Sequence, residues 1–514
     1  MPSKILSGAI VGLDAKIVEV EVDVSRGLRS FNIVGLPDKA IEESKERIRS
    51  AIKNSKLSSP SSKPLKILVN LAPADLKKEG SLYDLPIALA FLSASNQIQF
   101  NAQDKIFLGE LSLDGKLRPV KGALPFALLA RKENIKEVIL PKANAKEAVL
   151  VTALLKNPGD LKIVGLDSLT EVIQYLEGKK TVEPDSFEER DLIENPDHIV
   201  DLSWVKGQEY AKRALEITAA GGHNIFLFGP PGGGKTLLAK AVPSILPKLS
   251  FSESLEVTKI YSIAGLLPED KPFIISRPFR SPHHTCSEAA LMGGGNPPRP
   301  GEITFAHRGV LFLDEFPEFR RDVLESLRQP IEEGKITISR ARNIFTFPSR
   351  FMLIAASNPC PCGYLNDPEK ECSCTPSQVA MYRRKLSGPL MDRLDLFIEV
   401  PSVKYEKLIL EPQESLSEKI REKIKRTREI QKERFRNDKI LVNSEINVPE
   451  IKKHCNHDEK SHDLLRKYVD SGKLSARGYH RVLKVARTIA DLDLSEIIRY
   501  NHTAEALMYR LKEN

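Results

Sequence analysis

The sequence predicts a multidomain α/β protein, and three observations carry that expectation. A chain of 514 residues exceeds what one hydrophobic core sustains, which points to roughly two to four domains. Strand-like runs alternate with helical ones twice, once on each side of an acidic stretch without apolar periodicity. The C-terminal part is almost wholly helical in period and rich in Lys, Arg and Glu.

Within residues 1–180, period-two or continuous apolar runs mark strands ("AKIVEVEVDVS", "FNIVGLP", "LKILVNLAP", "EVILP", "LKIVGL"). Between them, 3.6-period runs mark helices ("DKAIEESKERIRSAIKNS", "DLPIALAFLSAS", "ALPFALLARKEN"). Residues 181–202, "TVEPDSFEERDLIENPDHIVDL", form a linker. Residues 203–400 repeat the α/β pattern, and 401–514 are helical, with no internal repeat. With 41% hydrophobic and 28% charged residues the chain reads as globular rather than disordered. It holds no apolar run long enough for a membrane span, and "MPSKILSGAIVGLDAK" lacks a signal-peptide apolar core, so the expected location is the cytoplasm, with no membrane partner. Six cysteines in a reducing compartment are thiols or metal ligands, not a disulfide scaffold. A net charge of +8 is compatible with a polyanionic partner but does not require one.

"NIFLFGPPGGGKTLLAKAVP" carries the strongest signal. An apolar strand runs into Gly229, Pro230, Pro231, Gly232, Gly233, Gly234, Lys235 and Thr236, and a helix follows. Glycines let backbone N–H groups curl around a β-phosphate, the helix start adds positive potential, Lys235 reaches the β/γ oxygens and Thr236 ligates Mg²⁺. ATP and magnesium are the expected ligands. Downstream, "GVLFLDEF" ends a buried strand in Asp314 and Glu315. Such a pair is ordinarily a strand end. About 80 residues beyond a phosphate loop it becomes a magnesium-shell carboxylate, Asp314, and a catalytic base for the attacking water, Glu315. A further apolar strand, "FMLIAASN", ends in Asn358, placed to orient that water.

These spacings resemble the AAA+ ATPases, which have a P-loop NTPase core. Through "RPFRSPHHT", "GGGNPPRPGEITFAHRGVLFLDE", "FRRDVLESLRQPIEEGKITISRA", "SNPCPCGY", "SGPLMDRLDL" and "SARGYHRVLKVARTIADL" the chain resembles, over essentially its whole length, the magnesium-chelatase-like AAA+ proteins of the YifB/ComM type. The resemblance implies that Asn358 is the sensor 1 residue, that Arg393 in "MDRLD" is an arginine finger, that Arg481 in "GYHRVL" is the sensor 2 arginine, and that 401–514 form a helical lid. A finger acting on a neighbouring subunit implies a homo-oligomeric ring, a hexamer.

Two functions compete. The ComM-type resemblance implies a DNA motor for branch migration on single-stranded or branched DNA, in homologous recombination or natural transformation. The alternative is a chelatase-type ATPase that remodels a protein partner for metal insertion. The resemblance separates them through residues 1–180, since chelatase motor subunits are expected to lack such an extension. That extension resembles the Lon-protease-like domain (ribosomal S5 domain 2 type) through "NLAPADLKKEGSLYDLPIALAFL" and "FLGELSLDGKLRPVKGALPFALLARKENIKEVILP". Where Lon's nucleophilic serine is expected stands Asp84, and Ser81 and Lys121 fit neither dyad position, so the domain is read as non-proteolytic. In this departure the domain resembles that of the recombination protein RadA, which favours a DNA role over a protease role.

"EEGKITISRARNIFTFPSR" alternates on both sides of "RARN" as a β-hairpin does. Its tip arginines, Arg340 and Arg342, are DNA-backbone candidates, or else simply solvated. "MGGGNPPRPGE" reads as a mobile loop. His283 and His284 receive no chemical role. The helix "SEKIREKIKRTREIQKERFRN", with nine basic and four acidic residues, reads as a solvated face, or secondarily as a DNA track. Cys360, Cys362, Cys372 and Cys374, spaced C-x-C, nine residues, C-x-C, are candidates for a structural zinc site, the other reading being reduced thiols without metal.

Overall fold

The computed structural model describes residues 2–154, 160–186, 200–268, 272–296, 298–340, 343–365, 367, 370–386, 388–402, 415–438 and 440–510, apart from the side chains of 340 and 343. The chain divides into two compact units: Met1–Ile193 with Phe251–Ile275, and Glu194–Ser250 with Ser276–Asn514.

The first unit runs β1 (Ser3–Val11), β2 (Asp14–Arg26), β3 (Ser30–Val34), α1 (Lys39–Asn54), β4 (Leu65–Ala72), α2 (Asp84–Ala94), β5 (Lys105–Phe107), β6 (Glu110–Leu111), β7 (Leu117–Arg118), α3 (Ala123–Lys132), β8 (Glu137–Pro141), α4 (Lys142–Ala148), β9 (Lys162–Leu166) and α5 (Leu169–Leu176). Its seven-stranded sheet has the order β3-β4-β2-β1-β5-β8-β9. The β1–β2 and β2–β4 pairs are antiparallel and the others parallel. The alternation in β2 puts Val18, Val20 and Val22 in the core, as a strand with one buried face requires. Helix α1 begins where the Asp38 side chain accepts from Ile41 N at 2.9 Å, and it buries Ile41, Ser44, Ile48, Ala51 and Ile52, a stripe at helical spacing.

Helix α8 (Phe251–Ala264) belongs to this unit, although its sequence position lies within the 203–400 span. Lys259 Nζ lies 2.5 Å from Asp14 Oδ1, Gly122 N donates to Ser262 O at 3.1 Å, and Ser262 Oγ donates to the buried Glu147. Burial pushes the Glu147 carboxyl above the usual range. Helical periodicity marks the apolar face but not the core that receives it.

The second unit continues with α6 (Glu209–Gly221), β10 (Ile225–Phe228), α7 (Lys235–Ile245), β11 (Phe279–Arg280), α9 (Glu288–Met292), β12 (Gly293–Gly294), β13 (Arg299–Pro300), α10 (Glu302–Phe305), β14 (Val310–Leu313), α11 (Arg321–Ser326), α12 (Arg328–Glu333), β15 (Lys335–Arg340), β16 (Asn343–Pro348), β17 (Met352–Ser357), α13 (Pro376–Lys385), α14 (Gly388–Met391) and β18 (Leu396–Glu399). Helices α15 (Leu416–Arg434), α16 (Val448–His454), α17 (Glu459–Asp470), α18 (Ala476–Leu492) and α19 (Tyr500–Met508) follow. The sheet is wholly parallel, ordered β11-β14-β17-β10-β18. Strands β14 and β17 are buried throughout, as parallel strands covered on both faces must be.

The described C-terminal helices share one hydrophobic core with this sheet: Val482, Ala486 and Ile489 join the cluster of Ile217, Ala220, Ile225 and Ile354. The basic helix α15 is tied into the same unit through its arginines. Arg421 donates to Ser244 O at 2.9 and 2.6 Å, Arg428 Nη2 to Ala219 O at 2.6 Å, and Gln431 Nε2 to Ala220 O at 3.1 Å. These bonds satisfy carbonyls in the last turns of α6 and α7 that have no partner within their own helix. Arg434 Nη1 pairs with Asp491 at 2.7 Å. Three arginines read from sequence as solvated are therefore structural.

Candidate functional site

A parallel sheet binds ligands at the carboxyl ends of its strands, beside the point where chain connections diverge. Strand β10 sits between β17 and β18, and the glycine-rich loop leaves its carboxyl end. Gly229 is required there: it has φ +156°, and a Cβ would lie 2.1 Å from Val400 O. Lys235, the first residue of α7, is buried and donates to Gly229 O at 2.7 Å, Pro230 O at 2.9 Å and Asn358 Oδ1 at 3.1 Å. Burial holds its ammonium below the usual lysine range, with Asp314 opposing. A charge held partly desolvated by loop carbonyls is poised to exchange those weak dipoles for phosphate oxygens.

Beside it, Thr236 Oγ1 donates to Asp314 Oδ2 at 2.7 Å, so a hydroxyl and a carboxylate share one point at the end of β14. Hard oxygen donors of this kind suit Mg²⁺. Glu315 follows with φ 50°, a left-handed conformation that a non-glycine residue adopts at a cost. Its N–H donates to Asp314 Oδ1 at 2.9 Å, while its side chain stays 59% exposed. Its carboxylate takes no part in the Thr236–Asp314 contact. Four of the sequence-predicted residues, Lys235, Thr236, Asp314 and Asn358, are brought into direct contact, with Glu315 adjoining.

The structure adds a sixth group. His284 Nδ1 lies 3.2 Å from Glu315 Oε2 and its ring lies against that of His283, 4.1 Å between centroids and tilted by 34°. "SPHHT" contains no spacing rule that could have found this, since the contact depends on where β11 delivers the chain. The glycine-rich segment expected to be mobile forms a short ribbon, β12 with β13.

The two arginines stand differently. Arg393 Nη2 pairs with Glu332 Oε1 of its own chain at 2.7 Å, Nη1 donates to Pro389 O, and buried Nε has no partner among the described residues. No contact joins it to its own phosphate loop among the described residues, which a finger acting on a neighbour allows. Arg481, expected as the sensor 2 arginine, makes no contact with its own glycine-rich loop among the described residues. Its Nη1 donates to Asp395 Oδ1 at 2.6 Å, and Asp395 also accepts from Asn224 N at 2.9 Å. Leu396 pairs with Ile225 and Glu399 with Phe228, so Asn224 and Asp395 lie at the amino ends of their strands. The phosphate loop lies at the other end, roughly 13 Å away at ~3.3 Å per residue. Arg481 therefore anchors the far edge of the sheet.

Burial would raise the Asp395 carboxyl, but the Arg481 guanidinium, then His223 and the Asn224 N–H, outweigh it and hold it well below the usual range. Because the folded value is depressed, the stabilisation is complete above the unfolded carboxylate range near pH 4 and is lost as pH falls below it. Arg481→Ala should leave a buried charge without its partner and lower stability by about 3–5 kcal/mol, read by urea unfolding of the nucleotide-free protein at neutral pH. A fall in ATPase at wild-type stability would support a sensor role.

The expected hairpin forms, β15 pairing with β16 from Lys335↔Pro348 to Arg340↔Asn343. Arg340 ends its first strand. Arg342, like the side chain of Arg340, lies outside the described residues. Near the sheet, Cys360, Cys362, Cys372 and Cys374 converge, their sulfurs all within 4.8 Å of one another. In the first unit Asp84 is fully buried and accepts from Arg47 Nε at 2.7 Å, Arg47 Nη2 at 3.1 Å and Leu111 N at 3.1 Å. It locks α1, α2 and β6 together. Ser81 Oγ donates to Glu110, a carboxylate partner and not the lysine of a Ser–Lys dyad.

Comparison with known proteins covers both units. The family model described as magnesium chelatase, subunit ChlI, matches residues 201–408. That described as subunit ChlI of Mg-chelatase matches residues 20–144, and that described as magnesium chelatase, subunit ChlI C-terminal, matches residues 414–510. Competence protein ComM of Haemophilus influenzae is 42% identical over 520 residues, covering 98% of this chain and 97% of that protein. YifB of Escherichia coli is 43% identical over 509 residues, covering 98% and 96%. The match at residues 20–144 removes one distinction: the N-terminal region itself fits a chelatase-subunit model, so its presence does not separate a DNA motor from a chelatase motor. No helix among the described residues is long and apolar enough to cross a membrane.

Proposed function

The chain belongs to the magnesium-chelatase-like family of ComM and YifB, and on that premise we propose that it is a cytoplasmic AAA+ ATPase that assembles as a homo-oligomeric ring, a hexamer, and moves DNA, with branch migration in recombination or natural transformation as its task. The observation that carries the ATPase reading is the convergence of Lys235, Thr236, Asp314 and Asn358 at the carboxyl ends of β10, β14 and β17. Lys235 neutralises the β/γ-phosphate charge, and the backbone N–H groups of Gly232 to Lys235 wrap the β-phosphate. Thr236 and Asp314 would hold Mg²⁺, which would supply Lewis-acid neutralisation of the phosphate charge. Glu315 takes the proton from the attacking water and Asn358 orients that water. Arg393 of a neighbouring subunit neutralises the transition-state charge on the γ-phosphate.

The DNA reading is supported by the near full-length likeness to a competence protein and by the β15–β16 hairpin, whose turn sequence carries Arg340 and Arg342, residue types that suit contact with a phosphate backbone. Favouring the second reading, remodelling of a partner for metal insertion, all three matching models are named for the chelatase subunit. One comparison tests both: ATPase rate with and without single-stranded DNA, set beside a protoporphyrin chelation assay with chelatase partners. Stimulation by DNA without metal insertion is expected, and the reverse pattern overturns the DNA role.

The hairpin makes a further prediction. Replacing Arg340 and Arg342 with Ala should leave basal ATPase intact, reduce its stimulation by DNA and flatten the slope of log K against log salt by about 0.7 for each phosphate that the hairpin then leaves unneutralised. An unchanged slope with unchanged stimulation would remove the hairpin from DNA binding.

A further inference from the structure

The loop from Pro359 to Thr375 contains no helix or strand among its described residues, yet it holds four cysteines as free thiols. Cys360 Sγ lies 3.4 Å from Cys362 Sγ and 3.7 Å from Cys372 Sγ, and Cys362 Sγ lies 3.5 Å from Cys372 Sγ. Disulfide sulfurs would be about 2.05 Å apart. Four sulfurs at ~2.3 Å from one tetrahedral ion are about 3.8 Å from each other, which these spacings approach. An iron–sulfur cluster would place several irons and sulfides between the cysteines and hold the thiolates farther apart. The fourth ligand is positioned too: Cys374 Sγ accepts from Cys362 N at 3.3 Å, the backbone N–H to sulfur bond that orients a thiolate for a metal.

We propose that Cys360, Cys362, Cys372 and Cys374 hold one structural Zn²⁺ that fixes the loop carrying Asn358 against the phosphate loop. All four positions are filled by protein, so the ion has no open site for substrate and acts by cross-linking. The cross-link ties the end of β17 to the segment entering α13, and among the described residues none of this loop belongs to a hydrophobic core cluster. It also bears on the nucleotide site. Gly363, next to Cys362, has φ +89°, and a Cβ there would lie 2.6 Å from Pro231 Cδ and 3.8 Å from Asn358 Cγ. The zinc loop thus lies directly on the phosphate loop and beside Asn358, whose Oδ1 contacts Lys235. The metal site stands on the sulfur geometry alone, whereas its positioning effect rests on the ATPase reading.

The test uses the full chain purified without a chelating tag. Metal analysis should find one zinc per chain, and titration with a mercurial should release it into a chromogenic chelator as four thiols react. Cys374→Ser should lose the zinc, while Cys286→Ser, outside the cluster, should keep it. Iron in place of zinc, or four freely titrating thiols with less than about 0.1 metal per chain, overturns the proposal whatever the ATPase does, and the wild-type measurement stands even where Cys374→Ser fails to fold. With zinc present, its withdrawal should reduce ATP turnover at least tenfold while nucleotide still binds. Unchanged turnover after verified zinc loss overturns the positioning effect. A zinc-loaded chain that never hydrolyses ATP would instead refute the ATPase reading and leave the metal site in place.

Discussion

Glu315→Gln is expected to bind ATP as the wild type does and to turn it over about 10²–10⁴-fold more slowly, the range for loss of a positioned general base. The substitution keeps size and shape, and it leaves the Thr236–Asp314 contact and the Lys235 contacts in place. It removes the negative charge and with it the ability to accept a proton, and it changes the group that His284 contacts. Glu315 has a left-handed backbone and its side chain does not take part in the Thr236–Asp314 contact, which is compatible with the proposed division between base and metal ligand. Equilibrium nucleotide binding beside steady-state turnover reads both halves of the expectation. Wild-type turnover would show that another group activates the water. Lys235→Ala should fail in the complementary way, through weaker nucleotide binding, because the phosphate charge loses its buried partner.

Arg393→Ala should be inactive alone, with turnover down about 10³–10⁵-fold as for removal of an arginine finger, and should regain part of its activity when mixed with Lys235→Ala subunits. At a mixed interface, a Lys235→Ala subunit supplies an intact finger to an intact phosphate loop on its neighbour. On the proposed reading the effect is exerted on a neighbour, since within its own chain Arg393 contacts Glu332 at 2.7 Å and Pro389 O. Assembly must redirect a guanidinium that already has one buried nitrogen without a partner among the described residues. Subunit exchange is verified first, by labelled subunits. Absence of recovery after exchange would place Arg393 in a structural pair with Glu332.

The phosphate loop, the carboxylate pair and Asn358 were legible because each follows an apolar strand at a spacing that one parallel sheet enforces, and such strands announce themselves by continuous burial. The hairpin was legible for the same reason: period-two alternation about a turn needs no distant partner. The partners of Arg481 and of the α15 arginines were not. An arginine's role depends on which carboxylate or carbonyl lies across the core, and Asp395, Asp491 and the ends of α6 and α7 are remote in sequence. Likewise, Asp84 could be recognised as a departure from a serine, but its function as an anchor needed Arg47 and Leu111 beside it.

By itself, the amino-acid sequence determined the chemistry available to this protein: a glycine loop that a phosphate fits, a lysine and threonine at a helix start, two acids at a strand end, and four thiols in paired C-x-C spacing. Those properties are local, since backbone conformation and donor type act over a few residues. The tertiary structure alone decided which groups meet. It joined Asn358 to Lys235 and His284 to Glu315, gathered the four sulfurs, moved α8 into the first unit's core and set Arg481 at the sheet's far edge. The reason is physical: burial and charge pairing are settled by distance through space, and distance through space between residues far apart in the chain exists only once the strands have taken their order.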